Sequence, residues 1–405
     1  MHDGMRGESQ TDAKIAALIA RQPAGHSLQQ AFYGDPDVFR RDVERVLMRH
    51  WLCAGHESSL PKPGDFQLIE IAGESAIIVR GEDGVLCALV NVCRHRGSRV
   101  CWEQTGHSKS FTCPYHGWTY GLDGSLQAAR FMPAEFDRSR HGLKQIHLRV
   151  LEGVIFVSFA EQPLGTRYLE ETVRACYGPY GWVEARVAHR ELYSFAANWK
   201  LAVENYLECY HCAPAHPEYS RLHALEQPAA RVETLRARLA ERSVALGLDI
   251  PPREHWVGFE TGEEACRGFR YPLYEGVESA TADGKGVAPL MGLREYDGGV
   301  TSVHVGPTSF LVAYADHGVI YRFIPKTAET SDMEVIWLVR GDAREGRDYD
   351  LEKLTWLWKV TSEADKRIIE HNQLGVNSRF YRPGPYAPME YNTIAYVDWY
   401  LREIA

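Results

Sequence analysis

The chain has 405 residues, 45% of them hydrophobic and 24% charged, enough apolar material for two domains or one large one. A formal net charge of −9 and a pI near 6.0 argue against a nucleic-acid partner, which asks for a basic face. No apolar run approaches the roughly 20 residues that span a bilayer, and the polar stretch Met1 to Lys14 lacks the core of a signal peptide, so no membrane association and a cytoplasmic location are expected. Nine cysteines make a poor disulfide framework, and most are expected as buried thiols.

Residues 35–50 place Val38, Phe39, Val43, Val46 and Leu47 on one side of an amphipathic helix. From 65 to 159 the pattern changes to short β-runs at 66–71, 76–80, 85–92 and 154–159, broken by turn signals such as Gly81-Glu-Asp-Gly84 and Leu122-Asp-Gly124. That is an all-β unit. After Gln162 the chain is mixed. A strand at 186–195 leads into one helix over 198–211, and 229–246 reads as a solvated amphipathic helix. Residues 276–300, rich in Gly and small residues, read as a loop; strands return at 301–305, 309–314, 319–324 and 334–339, and long helices close the chain. Short turns between successive strands predict an antiparallel sheet, so the second unit is α+β rather than doubly wound.

Two short segments at the ends of β-runs carry the first constellation. Cys93-Arg-His95 is followed, after seventeen intervening residues, by Cys113-Pro-Tyr-His116. Facing each other, they would give Cys93 and Cys113 to one iron and His95 and His116 to the other, the Cys₂/His₂ ligation of a Rieske [2Fe–2S] cluster. A structural zinc accepts the same residue types, but zinc fingers usually take both Cys from one element and both His from another. The flanks, Cys-Arg-His-Arg-Gly at 93–97 and Cys-Pro-Tyr-His-Gly-Trp at 113–118, closely resemble those of Rieske oxygenases. Ser98 and Tyr115 stand where respiratory Rieske proteins have disulfide-forming cysteines, and Trp118 where they have a serine bonded to the cluster. Fewer hydrogen bonds to the sulfurs predict a low potential, suited to an oxygenase fed from NADH.

The second constellation begins on the 198–211 segment, with Asn198 as N-cap and Trp199, Val203, Tyr206, Leu207 and Tyr210 as its apolar stripe. Glu204, Glu208 and His211 fall on an adjacent face and predict a charged site at its margin. His216 would point elsewhere on a straight helix, but Pro214 and Pro217 let the chain turn back. Two histidines and one carboxylate make the ligand set of non-haem Fe(II) oxygenases. Periodicity leaves Asp365 and Glu363 both open as the carboxylate. Cys209-x-x-Cys212 also permits a redox dithiol or half a zinc site, although no second Cys pair exists. Gly284-x-Gly286 completes no dinucleotide fingerprint and no plant-type ferredoxin spacing occurs, so the reductase is expected to be another protein.

The sequence from about Leu28 to the C-terminus is similar to Rieske oxygenase α-subunits, and much follows from that resemblance. It selects Asp365 as third ligand, because the segment running to Gln373-x-Gly375 looks like the family's. It implies an all-β Rieske domain (46–162) inserted before a helix-grip catalytic domain (1–45 and 163–405). It also implies a homotrimer in which one subunit's cluster faces its neighbour's iron. Glu208 takes the bridging position between the two sites, and Asn205 a position beside the iron. Glutamate at the bridge, where ring-hydroxylating members usually have Asp, resembles the betaine branch, as do residues 204–212 and 381–386. The implied function is the terminal oxygenase of a two-component monooxygenase. It would use O₂ and electrons from NAD(P)H through a ferredoxin-type or flavin reductase. It would N-demethylate a betaine-like quaternary or N-methyl amine and release formaldehyde. A ring dioxygenase or O-demethylase for an aromatic acid would share fold and metals. A Rieske electron carrier without catalysis would have no use for His211, His216 and Asp365.

Overall fold

The computed structural model describes residues 2–225, 228–248 and 262–405. Seven strands form an antiparallel sheet in the order Leu52–His56, Val154–Ser158, Gln145–Leu151, Leu86–Val90, Glu74–Arg80, Asp65–Ile71 and Thr105–His107. A three-stranded sheet of Phe111–Thr112, Thr119–Tyr120 and Leu126–Ala128 completes this unit. Alternate residues point to opposite faces, and in Asp65–Ile71, Glu74–Arg80 and Val154–Ser158 both faces are covered, which is why the interiors of these strands are mostly apolar. Leu68, Ile77, Val79 and Leu89 pack with Cys93, Cys113 and Trp118 on one face. Ile69, Ile71, Ile78 and Val157 pack on the other.

The second sheet has six antiparallel strands in the order Ala185–Phe195, Thr330–Arg340, Gly318–Thr327, Ser309–Ala313, Gly299–Val305 and Cys266–Pro272. The helices Trp199–Tyr206 and Leu351–Val376 pack on one face through Val203, Leu357 and Trp358 against Tyr321, Val335 and Trp337. The helix Arg167–Tyr177 covers the other through Leu169, Val173 and Tyr177. Leu28, Phe32 and Tyr33 join the first of these cores beside Trp399 and Tyr400, so the N-terminal segment packs with the C-terminal helix. Buried Glu264 accepts from the Trp51 backbone N–H and contacts His50, tying the start of the first sheet to the edge of the second. Among the described residues no helix is long and apolar enough to cross a membrane.

Three expectations change. The 35–50 segment is a helix only over Pro36–Asp42, capped by Asp35, and then widens into a π-turn over Val43–Leu47. The 198–211 helix stops at Tyr206, because the Glu208 carboxylate accepts the Tyr210 and His211 backbone N–H groups and competes with the helical ladder. Glu204 lies away from the predicted site margin: it is buried and accepts from the hydroxyls of Tyr33 and Tyr386, each at 3.0 Å.

Candidate functional site

The two Cys/His segments form matched loops. In each, the cysteine N–H bonds to the carbonyl five residues on (Ser98, Trp118), and the glycine four residues on (Gly97, Gly117) bonds back to the cysteine carbonyl. Both glycines have positive φ, +80° and +70°, with open space where a Cβ would go, so backbone conformation is what demands glycine. The loops bring Cys93 and Cys113 into contact in the interior and set His95 and His116 at the exposed rim, their Nδ1 atoms 3.2 Å apart. That separation is close to the ~3.4 Å between two nitrogens on one tetrahedral ion with bonds of ~2.1 Å. Two sulfurs inside and two nitrogens outside suit a Rieske cluster. His95 also stacks on Trp118 at 4.8 Å between ring centroids. Sequence reasoning missed Tyr120, whose hydroxyl lies 3.2 Å from Cys93 Sγ and accepts from the Arg94 N–H. The Thr119–Tyr120 strand directly after the second loop was the available signal.

The second set also assembles. His216 lies between the short helices Cys212–Ala215 and Pro217–Ser220 with φ −129° and ψ 70°. Pro217 disfavours the helical region for the residue before it, and this kink returns the ring toward His211. Asp365 enters from the buried side of the Leu351–Val376 helix, whereas Glu363 is exposed. Ligand atoms of His211, His216 and Asp365 lie within 4.8 Å of one another. Asp365 Oδ1 is 2.8 Å from His216 Nε2 and 3.4 Å from His211 Nε2, near the ~3 Å between adjacent ligands at right angles around an ion with ~2.1 Å bonds. Asn205 Nδ2 donates to Asp365 Oδ1 at 2.9 Å, and Glu208 accepts from His211 Nδ1 at 2.5 Å, leaving Nε2 turned to the cluster of donors. Burial opposes a charge on His211, but its contacts with Asp365 and Glu208 outweigh this and raise its pKa to about 10. Burial also opposes charge on Asp365, yet His211 and His216 lower its pKa. The cluster thus favours a bound positive charge, and a metal ion would displace the proton.

Beside these donors opens a cavity of about 180 Å³. Its walls include Tyr206, Tyr219, Phe269, Tyr271, Tyr321 and Trp358, while Glu208, Cys209 and Cys212 also line it.

Comparison with known proteins shows the family. The model of the ring hydroxylating alpha subunit catalytic domain matches residues 182–405, and that of the Rieske [2Fe-2S] domain residues 50–146. The chain belongs to the Rieske oxygenase α-subunit family. It is therefore a Rieske non-haem iron oxygenase, an enzyme with a [2Fe–2S] cluster and a mononuclear iron. It is 36% identical over 393 residues to the glycine betaine monooxygenase oxygenase subunit of Pseudomonas aeruginosa strain PAO1, covering 95% of this chain and 90% of the relative. The carnitine monooxygenase oxygenase subunit of Escherichia coli K12 is 38% identical over 200 residues, 47% of this chain and 52% of that one. Among solved structures, a quaternary ammonium Rieske monooxygenase studied for carnitine oxidation superposes with a TM-score of 0.73 at 22% identity, covering 96% of this chain and 98% of that one. Naphthalene 1,2-dioxygenase gives 0.66 at 17% identity, covering 95% and 93%. At these identities the structural likeness speaks for the fold of this Rieske oxygenase, a β Rieske unit followed by an antiparallel sheet with helices.

Proposed function

We propose that this Rieske oxygenase is the terminal component of a two-component monooxygenase that removes an N-methyl group from a betaine-like quaternary ammonium compound. The observation that carries this is the aromatic cavity beside the His211, His216 and Asp365 donors. Aromatic faces hold quaternary ammonium groups. The cavity is well below the roughly 300–1,000 Å³ of sites for drug-sized ligands, which suits a small substrate. The names of the glycine betaine and carnitine relatives support the same class.

In this reading Cys93, His95, Cys113 and His116 hold the cluster within a unit spanning 46–162. His211, His216 and Asp365 hold the iron within a catalytic unit of 1–45 and 163–405. Iron held there would supply O₂ activation, and a cluster held by Cys93, His95, Cys113 and His116 would supply the electrons, drawn from a separate NAD(P)H-dependent ferredoxin-type or flavin reductase. Glu208 fixes the His211 tautomer, Asn205 orients Asp365, and the aromatic walls exclude water and present one N-methyl group. Hydroxylation of that carbon gives a carbinolamine, which collapses to formaldehyde and the demethylated amine. The Glu208 carboxylate has its hydrogen bonds within its own segment among the described residues, while His95 and His116 are exposed. Trp102, Tyr115 and Phe131 are further exposed aromatics of the Rieske unit, an apolar surface that favours burial against another subunit. This arrangement supports assembly into a homotrimer; a cytoplasmic location belongs to the same reading. With a surrogate reductase, glycine betaine, carnitine or a related betaine should couple O₂ uptake to formaldehyde release. Cis-diol formation from an arene, with no formaldehyde from any betaine, overturns the assignment.

A further inference from the structure

We propose that Cys209 and Cys212 form a reversible oxidation site at the active-site cavity, a dithiol that hydrogen peroxide closes to a disulfide. Cys209 is the exposed cysteine of the nine, Cys212 is buried, and both line the cavity. The Cys212 N–H donates to the Cys209 carbonyl at 3.2 Å, closing a four-residue turn. Such turns hold their end Cα atoms within ~7 Å, overlapping the ~4.4–6.8 Å that a disulfide requires. The two side chains are near enough to influence each other electrostatically. Neither is committed to the cluster set, and the remaining cysteines, 53, 87, 101, 176 and 266, are buried or half-buried elsewhere.

The oxidant has a local source. An oxygenase that delivers two electrons to O₂ without hydroxylating its substrate releases hydrogen peroxide, and the cavity lined by both cysteines adjoins the His211, His216 and Asp365 donors where it would form. Cys209 Sγ attacks the peroxide O–O bond, becoming a sulfenic acid while the leaving hydroxide takes a proton to form water. Cys212 Sγ then attacks that sulfur, the S–S bond forms, and the second oxygen departs as water. Two thiols lose two electrons and two protons, and one peroxide becomes two waters.

The disulfide would bridge Tyr210 and His211. Cys212 Sγ now lies 3.9 Å from His211 Nε2, and the same turn is held by Glu208 through the Tyr210 N–H, the His211 N–H and His211 Nδ1. Drawing Cys212 onto Cys209 therefore re-aims His211 and loosens the iron site, so uncoupled turnover arrests the enzyme that causes it. A bridge across so short a loop is reducible, which makes the arrest reversible.

The test exposes the holoenzyme, without substrate, to a small excess of hydrogen peroxide. The peptide carrying both cysteines should lose the mass of two hydrogens, and a chelator should then extract the mononuclear iron roughly tenfold faster. Dithiothreitol should reverse both, with the cluster spectrum unchanged throughout. Cys209→Ser and Cys212→Ser should each form no bridge and show no acceleration over their own untreated samples. Cys209 carrying added oxygen beside an unmodified Cys212 overturns the site, and mapping by mass needs no iron loading. A bridge that leaves extraction unchanged overturns the arrest. The extraction readout rests on the proposed ligand role of His211, whereas the mapping does not, so the two failures are distinguishable.

Discussion

Tyr120 and Glu204 are single side chains whose roles depend on where the fold puts them. The Tyr120 hydroxyl beside Cys93 Sγ is positioned to donate to a cluster sulfur, and such bonds favour the reduced state. Tyr120→Phe should therefore lower the cluster potential by some tens of millivolts in a redox titration with little change in its visible spectrum. An unchanged potential would remove Tyr120 from the cluster's environment. Glu204 concerns stability. Burial raises its pKa from 4.5 to about 7, against the opposing hydrogen bonds of Tyr386 and Tyr33. Below about pH 4.5 the group is neutral in both folded and unfolded chains and contributes nothing. As pH climbs toward 7 the unfolded chain ionises first, so stability falls, and the full cost, on the order of 3 kcal/mol, is reached above the folded pKa. Glu204→Gln should flatten this loss, raising the thermal midpoint relative to the parent at about pH 8 more than at about pH 5. Parallel profiles would show that the Glu204 charge is compensated.

At the scale of elements, the matched loops are the part most sensitive to backbone change. Gly97→Ala or Gly117→Ala adds a methyl group that meets nothing, so its cost is the ~1–2 kcal/mol of a left-handed non-glycine residue. Each variant should fold yet retain less acid-labile sulfide per chain, and a full complement would show that the loops tolerate the strain. Their ligand candidates were legible in the sequence, because Cys and His at short spacing after β-runs leave few other uses. The strands 65–71 and 74–80 were legible because both of their faces are apolar. Leu52–His56 was not: Cys-Ala-Gly-His has little β signal and is a strand through its pairing with Val154–Ser158. Gln145–Leu151, absent from the predicted elements, nevertheless carries a strand signal, the alternation of polar Gln145, His147 and Arg149 with apolar Ile146, Leu148 and Val150. The premature end of the 198–211 helix was equally invisible, since helical spacing cannot show that Glu208 will bond its own following backbone. Periodicity alone left Asp365 and Glu363 open and the family resemblance pointed to Asp365; the helix's orientation, which puts Asp365 inward and Glu363 in solvent, is something spacing could not show.

For the whole molecule, the proposed homotrimer would run its electron path between subunits, from the exposed His95 and His116 of one chain to the His211, His216 and Asp365 site of the next. A Cys113→Ser chain would lack its cluster and an Asp365→Ala chain its iron, so each should be inactive alone. Co-assembled, they should recover part of the formaldehyde-forming activity, because an intact cluster then faces an intact iron at some interfaces. No recovery in verified mixed assemblies would confine transfer to one chain. The assignment of the two metal centres is tested most directly by iron and acid-labile sulfide content in anaerobically purified protein and these two variants. The parent should hold three irons and two sulfides per chain. Cys113→Ser should lose both sulfides and two irons, and Asp365→Ala one iron and no sulfide. Stoichiometric zinc without sulfide in the parent, or full iron retention in Asp365→Ala, would contradict the account.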